Sequence, residues 1–557
     1  MEALTPTLQD FLLNASQNYY DYLLENNLGY DAIKIHSITE DIFGIVLGLE
    51  KKIFSLEDLI FSFKNEEFSL EELGIEPLYY DENKKTLALA IPSPLKEEIL
   101  QNKTELKLYS DLKFLILNLI NFYSKNPSLS LPKNPPTLLS LAELERHLQT
   151  LKDFQNPPNE EQLLAYKQIF TQELCYIWGV AGSGKTKVVL LHSLATYLKK
   201  GKRVALLAPT NTALEQSLIT LLQSLKELGV STDCILRLGM PSLYFSQNYK
   251  QNCDPLIEDR KNYKKLLKDS LLIAATLDTF LKREELMELE FSHFFIDEAG
   301  FSPLIKTLPL CSFNKPLTLL GDHKQLTPIL ALKSKDLTNP KWNLSKIFGY
   351  SSLFLKDFFE LKDKILNLSY IHFSNFSIQT HKLSFTYRYG DNLAKILDYF
   401  VYKNGLRGFE ENTQIFHVQS SFKKDEKLPN ANINEANTIC TLAQNFIMAK
   451  KDFAILTPFV NQRKLILSKM PSLRALECVF TIHSSQGQEF DSILLSPVAL
   501  NYYLSDSRNP LALYTLNVAL SRAKKEIILV CDKFYWQSFP NQFLGALLKI
   551  AKPYKLY

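Results

Sequence analysis

Gly179-Val180-Ala181-Gly182-Ser183-Gly184-Lys185-Thr186 decides how the rest of the chain is read. The octet fits G-x-x-x-x-G-K-[ST], in which glycines let successive backbone N–H groups turn inward onto phosphate oxygens. Lys185 adds a point charge near the β- and γ-phosphates, and the Thr186 hydroxyl can complete Mg²⁺ coordination. The flanks suit the pattern. Leu174-Cys175-Tyr176-Ile177-Trp178 reads as a buried strand, and residues 186–194 read as a helix whose N-terminus faces the phosphates. A bare glycine turn is the competing reading. The chain has only 18 glycines in 557 residues, and the strand–loop–helix context favours a bound nucleotide.

Outward from the octet, residues 160–330 alternate strand and helix. Strands are expected at 203–208, 270–275, 292–296 and 317–320, which implies a parallel sheet with helices on both faces. A second alternating set runs from 383 to the end, with strands near 453–456, 478–482, 492–496 and 526–530. The polar stretch of about 215–270, with Arg260, Lys261, Lys264, Lys265 and Lys268, reads as a helical insertion. Its charges either face solvent or grip a polyanion. Residues 1–125 mix a helix at 8–24, strands at 42–49 and 86–91 and a helix at 106–123. Residues 126–158 form a proline-containing linker and helix, and 331–382 connect the two alternating sets.

Composition narrows the function classes. Forty-six per cent of residues are hydrophobic and 22% charged, as in an ordinary globular protein. Seven cysteines and nine histidines are scattered without metal-ligand spacing, so no structural zinc is expected and the thiols read as reduced, in a cytoplasmic setting. The most apolar stretch, 112–122, is broken by Lys113, Asn118 and Asn121, too short and polar to span a bilayer. The net charge of +3 hides an asymmetry. Residues 1–100 hold 19 Asp/Glu against 7 Lys and no Arg, so the part with the phosphate loop is the basic part. That suits a polyanionic partner, while the acidic region is either a solvated face or a docking surface for a protein.

Several other stretches carry chemistry. His293-Phe294-Phe295-Ile296-Asp297-Glu298 is an apolar strand ending in two carboxylates, where a Mg²⁺-organising Asp and a water-polarising neighbour belong. Gln325, in Gly321-Asp322-His323-Lys324-Gln325-Leu326-Thr327-Pro328, can touch the γ-phosphate or its water, or simply shape a turn. Arg388 and Arg522 lie in the second alternating set. They suit the positive charge that phosphoryl transfer needs opposite a phosphate loop, although a lone Arg is more often a surface ion pair. Asn159 and Gln162 fit a reciprocal helix cap, and Gln162 also suits an adenine edge.

Taken in order, Asn159–Gln162, GVAGSGKT (179–186), APTNTAL (208–214), Asp297-Glu298-Ala299-Gly300, GDHKQLTP (321–328), Tyr387-Arg388, LTPF (456–459), TIHSSQGQEFD (481–491) and NVALSRAKK (517–525) resemble a superfamily 1 helicase. The similarity is to the branch of the nonsense-mediated-decay helicase, the immunoglobulin mu-binding helicase and the Dna helicase-nuclease, over roughly 156–530. It implies two RecA-like, doubly wound parallel-sheet domains in tandem, at 159–330 and 383–557, with an N-terminal α+β accessory region that includes a β-rich insertion.

The resemblance also implies residue roles. Gly182, Ser183, Gly184, Lys185 and Thr186 would bind phosphate, with Thr186 and Asp297 holding Mg²⁺ and Glu298 acting as base. Gln325 would sense the γ-phosphate, and Arg388 and Arg522 would be arginine fingers. Gln162 and Tyr387 would hold adenine, and Glu489 the ribose. Thr210, Asn211, Thr276, Pro328, Thr457, Pro458, Thr481 and His483 would contact a single strand of DNA or RNA, since short polar side chains suit backbone phosphates without base readout. The implied activity is ATP-dependent 5′→3′ unwinding or translocation. A nucleic-acid clamp, or a protein-recruiting NTPase that unwinds nothing, is the alternative. The cysteine–histidine and iron–sulfur domains of the branch have no counterpart in the sequence.

Overall fold

The strands that bracket the phosphate loop share one sheet. In a computed structural model, which describes residues 7–555 apart from 43, 52, 54–58, 65, 71–72, 82–83, 126, 155, 255–259, 362–371, 412 and 486–487, that sheet has seven strands. Their order is Ile235–Arg237, Leu272–Thr276, Val204–Ala208, His293–Ile296, Leu317–Gly321, Leu174–Gly179 and Thr380–Leu383. The pairings from Ile235–Arg237 through to Leu317–Gly321 are parallel. Every residue of Val204–Ala208, Leu272–Thr276 and Leu317–Gly321 is buried. These are the continuous apolar runs that a sheet covered on both faces requires.

Two sequence expectations differ here. The stretch 215–270 is more than a helical insertion, because Ile235–Arg237 lies within it and pairs in parallel with Leu272–Thr276. An Arg at the end of a three-residue strand hides the strand in a hydropathy reading. In the structure Arg237 is wholly buried and paired with Glu215 at 3.0 Å. The connecting region also supplies an edge strand, Thr380–Leu383, to the first sheet. The part of it at 362–371 lies outside the described residues.

The chain divides into two compact units: residues 1–177, 186–321 and 327–381, and residues 178–185, 322–326 and 382–557. The first unit includes the accessory region. There the strands at Gly44–Leu49 and Thr86–Ala90 join six others in two four-stranded antiparallel sheets over residues 30–111. The sheets share a core of Ile45, Leu47, Phe61, Leu87, Leu89 and Leu108, against which Met240 packs. The helix expected at 106–123 is instead a strand, Lys107–Asp111, followed by a helix, Leu112–Ser124. The Asp111 carboxylate accepts from Lys113 N at 3.0 Å and starts the helix there.

The N-terminal helix, Leu8–Glu25, packs on Leu112–Ser124 and on the segment after Pro328. Asn18 bonds Lys341 O and Ser345 Oγ (2.8 and 2.7 Å), Tyr19 stacks on Phe348, and the Tyr22 hydroxyl accepts from Lys333 N at 2.9 Å.

The second unit holds a six-stranded parallel sheet in the order Val479–Thr481, Phe453–Thr457, Phe490–Leu495, Ala523–Cys531, Gln414–Gln419 and Lys552–Pro553. A two-stranded parallel ribbon, Phe385–Gly390 with Arg407–Phe409, stands beside it in the same unit. These are two RecA-like α/β domains in tandem.

Candidate nucleotide site and strand-facing residues

The strand His293–Ile296 delivers Asp297 at its tip, 4% exposed. Its Oδ2 accepts from Thr186 Oγ1 at 3.2 Å and from Ser217 Oγ at 2.6 Å, and its Oδ1 accepts from Glu298 N at 3.0 Å. Ser217, on the helix Asn211–Glu227, is absent from the sequence candidates. A single serine inside a long amphipathic helix carries no local signal. Glu298 takes a left-handed backbone, φ +54°, which turns the chain sharply after the carboxylate pair. The next strand's end, Gly321, lies so near that a Cβ there would come within 2.9 Å of Ala299 N. Glycine is required by this approach of two strand tips.

The phosphate loop leaves the first sheet at Gly179, and its residues 178–185 fall within the second compact unit. Gly182 and Gly184 have φ +80° and +85°, and a Cβ at Gly182 would sit 2.5 Å from that of Arg388. The Lys185 ammonium donates to the carbonyls of Gly179 and Val180, and so lies across the mouth of its own loop. Two backbone-facing bonds bring the ribbon Phe385–Gly390 against the loop: Thr386 Oγ1 donates to Ala181 O at 2.8 Å and Tyr387 N to Gly182 O at 2.9 Å. The Tyr387 ring is 55% exposed. Arg388 bonds Ser521 O at 2.9 Å and pairs with Glu489, so the residue expected at the ribose holds an arginine finger candidate here. Arg522, buried, donates to Gln325 Oε1 at 3.5 Å and to Gln488 O at 3.4 Å.

The centre of this cluster is Asp322, which the sequence reading passed over. Its Oδ1 accepts from Trp178 Nε1 at 3.0 Å and Lys324 N at 2.9 Å, and its Oδ2 from the Tyr402 hydroxyl at 2.7 Å and Gln325 Nε2 at 3.1 Å. Asn517 donates to Tyr402 at 2.8 Å and to Lys324 O at 2.9 Å. Burial, with the Asp322 charge behind it, holds the Tyr402 phenol well above its ordinary pKa, so it stays a donor. Burial also pushes His323, packed on Trp178, down to about 4. An Asp directly after a strand reads as a turn; only the fold brings four donors around it.

Gln162 is buried, and its Oε1 accepts from Asn159 N at 2.9 Å while Asn159 Oδ1 accepts from Gln162 N. The reciprocal cap therefore occupies its carboxamide oxygen.

The residues expected on a single strand are less open than their types suggest. Thr210 and Thr276 each cap the next helix, accepting from Ala213 N and Thr279 N. Asn211 Oδ1 accepts from the buried Arg237 at 2.8 Å. Pro328, Thr457 and Pro458 are buried, and Thr457 Oγ1 accepts from Phe459 N. Thr481, half-buried, bonds Ser484 Oγ at 3.1 Å. The His483 side chain, and Gln486 and Gly487 of the same motif, lie outside what the structure describes. A hydroxyl at a strand end is well placed to cap the following helix, and that local bond takes it first.

A phosphate loop and an Asp-Glu pair at two strand tips of one parallel sheet, with a second RecA-like sheet, define a P-loop ATP-binding protein of the tandem kind. Two AAA-domain family models match, over residues 245–333 and 368–534. These models and the relatives they accompany support a superfamily 1 helicase, of the branch that includes the replication helicase-nucleases and the nonsense-decay helicases. It is 27% identical over 67% of its length to the DNA replication ATP-dependent helicase/nuclease JHS1 of Arabidopsis thaliana. It is 26% identical over 74% of its length to the regulator of nonsense transcripts 1 of Dictyostelium discoideum. It spans 28% and 33% of those two relatives. A more distant likeness is the structure of PRRSV helicase, with TM-score 0.36, 15% identity, and 93% of this chain and 72% of that one covered. Among the described residues no helix is long and apolar enough to cross a membrane.

Proposed function

We propose that the chain is an ATP-driven motor on single-stranded DNA or RNA, a helicase or translocase that hydrolyses ATP to ADP and phosphate and moves 5′→3′. The observation that carries the reading is the Asp297 carboxylate, fixed by Thr186 and Ser217 beside the start of the phosphate-loop helix. The similarity to superfamily 1 helicases and the basic balance of residues 101–557 support it. On this reading residues 159–330 and 383–557 are the motor domains, 126–158 the linker and 1–125 an accessory region.

The Thr186 hydroxyl and Asp297 carboxylate are hard oxygen donors of the kind a Mg²⁺ site uses. When bound, the ion neutralises phosphate charge. The loop amides of Gly182, Ser183 and Gly184 bind phosphate oxygens, and Lys185 swings from its loop carbonyls to them. Glu298 takes the proton of the attacking water, and Gln325 orients that water. Arg522 and Arg388, released from Gln325 and Glu489, place positive charge on the transferring phosphoryl group. Tyr387 offers its exposed ring to the adenine face, and Glu489, once released, its carboxylate to the ribose. On this reading Thr210, Asn211, Thr276 and Pro328 are the strand-contacting positions of the first unit, and Thr457, Pro458, Thr481 and His483 those of the second. Where the side chain is buried, the contact is left to the loop backbone.

The test is the ATPase rate with and without single-stranded oligonucleotides, in matched DNA and RNA versions. Stimulation by one or both is expected, and no stimulation by any polymer overturns the reading. Strand displacement on tailed duplexes separates a motor from a clamp that hydrolyses without unwinding. The excess acidity of residues 1–100 favours, as a second reading, an NTPase that recruits a basic protein. Its ATPase would answer to that protein and ignore nucleic acid.

A further inference from the structure

The second sheet is parallel, so its strands end along one edge. Three neighbouring strands beyond Phe453–Thr457 are followed by segments that expose aromatic rings, two of them loops and one the short helix Lys533–Gln537. Tyr502 (55% exposed) and Tyr503 (73%) follow Phe490–Leu495, Phe534 (77%) follows Ala523–Cys531, and Phe422 (49%) follows Gln414–Gln419. Large rings in water are ordinary when single, but several along one edge mark a contact surface.

The loops are also fixed and tied to one another. Buried Glu435 accepts from Ser496 Oγ at 2.6 Å and from Val498 N at 3.0 Å. Val498 is held at φ +64°, a left-handed conformation that a β-branched residue avoids. Gln462 links Ser496 to Asn432. Leu500 N donates to the hydroxyl of Tyr535, the neighbour of Phe534. Gln419 bonds both Asp532 and Lys533 N at 3.1 Å, and Asn434 holds Ser421, next to Phe422. Strained, hydrogen-bonded loops that nonetheless present bare rings are built for a ligand.

We infer that this edge is a stacking platform for unpaired nucleobases, extending the single-strand path past Thr457 across Tyr502, Tyr503, Phe534 and Phe422. The inference rests on the nucleic-acid reading above. Three inter-strand steps of about 4.8 Å span roughly the rise of four stacked nucleotides at about 3.4 Å each. Exposed Lys423, Lys424 and Lys427, set against Asp425 and Glu426, leave the Phe422 loop net positive for phosphates. Rings interleaved with lysines take any base, because every base offers a π-face.

The test uses the full chain and fluorescence anisotropy on single-stranded oligonucleotides. Replacing both tyrosines (Tyr502→Ala with Tyr503→Ala) is expected to weaken binding about tenfold or more, with an unchanged unfolding midpoint. Restoring the rings (Tyr502→Phe with Tyr503→Phe) restores it. Strands carrying 5-iodouracil are expected to photo-crosslink to this loop, and Phe534→Ala to lower affinity further. Unchanged affinity in the alanine pair, with wild type binding normally, overturns the platform and assigns the rings to a protein partner. If the wild-type chain binds no strand at all, it is the motor reading that fails.

Discussion

At the C-terminal edge of the first sheet, Leu174–Gly179 runs into the phosphate loop and His293–Ile296 into Asp297 and Glu298. At the same edge of the second sheet, Phe453–Thr457 runs into a buried proline, Phe490–Leu495 into a loop with Tyr502 and Tyr503, and Ala523–Cys531 into a short helix that exposes Phe534. Both sheets follow one construction rule, and ligands of parallel sheets gather at the carboxyl ends of strands. The loops grafted there differ in chemistry. The first set is glycine-rich and anionic-ligand-seeking, whereas the second is aromatic. The second sheet's charged candidates for the nucleotide, Glu489 for the ribose and Arg522 for the phosphoryl group, instead precede its strands Phe490–Leu495 and Ala523–Cys531. One edge of that sheet is thereby left free of the nucleotide's demands.

The largest effect that would break this division of labour is at the phosphate loop. Lys185→Ala is expected to lower ATP hydrolysis by at least about 10³-fold, while affinity for a single strand, measured by anisotropy, persists. A parallel loss of strand affinity would mean that the two edges do not act separately. Arg522→Ala comes next, with a loss of kcat on the order of 10²–10³ and little change in strand affinity.

Asp322→Ala sharpens the comparison further, because it leaves Trp178, Tyr402 and Gln325 as donors without their shared acceptor. A stability loss of about 2–3 kcal/mol is expected in denaturant titrations, together with slower hydrolysis through a misplaced Gln325. The smallest effect concerns Glu435, under the aromatic loops. Burial pushes its carboxyl up to about 8, against the hydrogen bonds that favour ionisation. Its folded pKa exceeds the unfolded one, so its contribution is fully present in acid and is lost as pH rises through about 8. Glu435→Gln should flatten that fall, and the variant should melt on the order of 5 °C above wild type at alkaline pH.

Much of the fold was legible because buried parallel strands write themselves as unbroken apolar runs, as Val204–Ala208 and Leu317–Gly321 do. The exceptions have separate causes. Ile235–Arg237 carries an ion-paired Arg, and Lys107–Asp111 merges into the helix it precedes, so periodicity could not separate them. Of the candidate site, motif and spacing pointed to the phosphate loop and to Asp297, which the structure brings into contact through Thr186. Ser217 and the Asp322–Tyr402–Asn517 cluster were not legible, since each forms by convergence of distant segments. The threonines read as strand contacts show the reverse limit, because a side chain can be of the right type and already be engaged in capping its own helix.

The N-terminal helix has a consequence for how the chain is made. Asn18 finds its partner Lys341 323 residues later. At about 5–20 residues per second of synthesis, the helix waits roughly 16–65 s with one apolar flank uncovered. Its earlier partner, Leu112–Ser124, emerges well before that and can shelter part of the flank. The first unit is therefore sealed only late in synthesis, when the segment after Pro328 arrives. Slowed translation upstream of residue 341 would lengthen the period in which Tyr19 and Tyr22 are exposed to aggregation or chaperones.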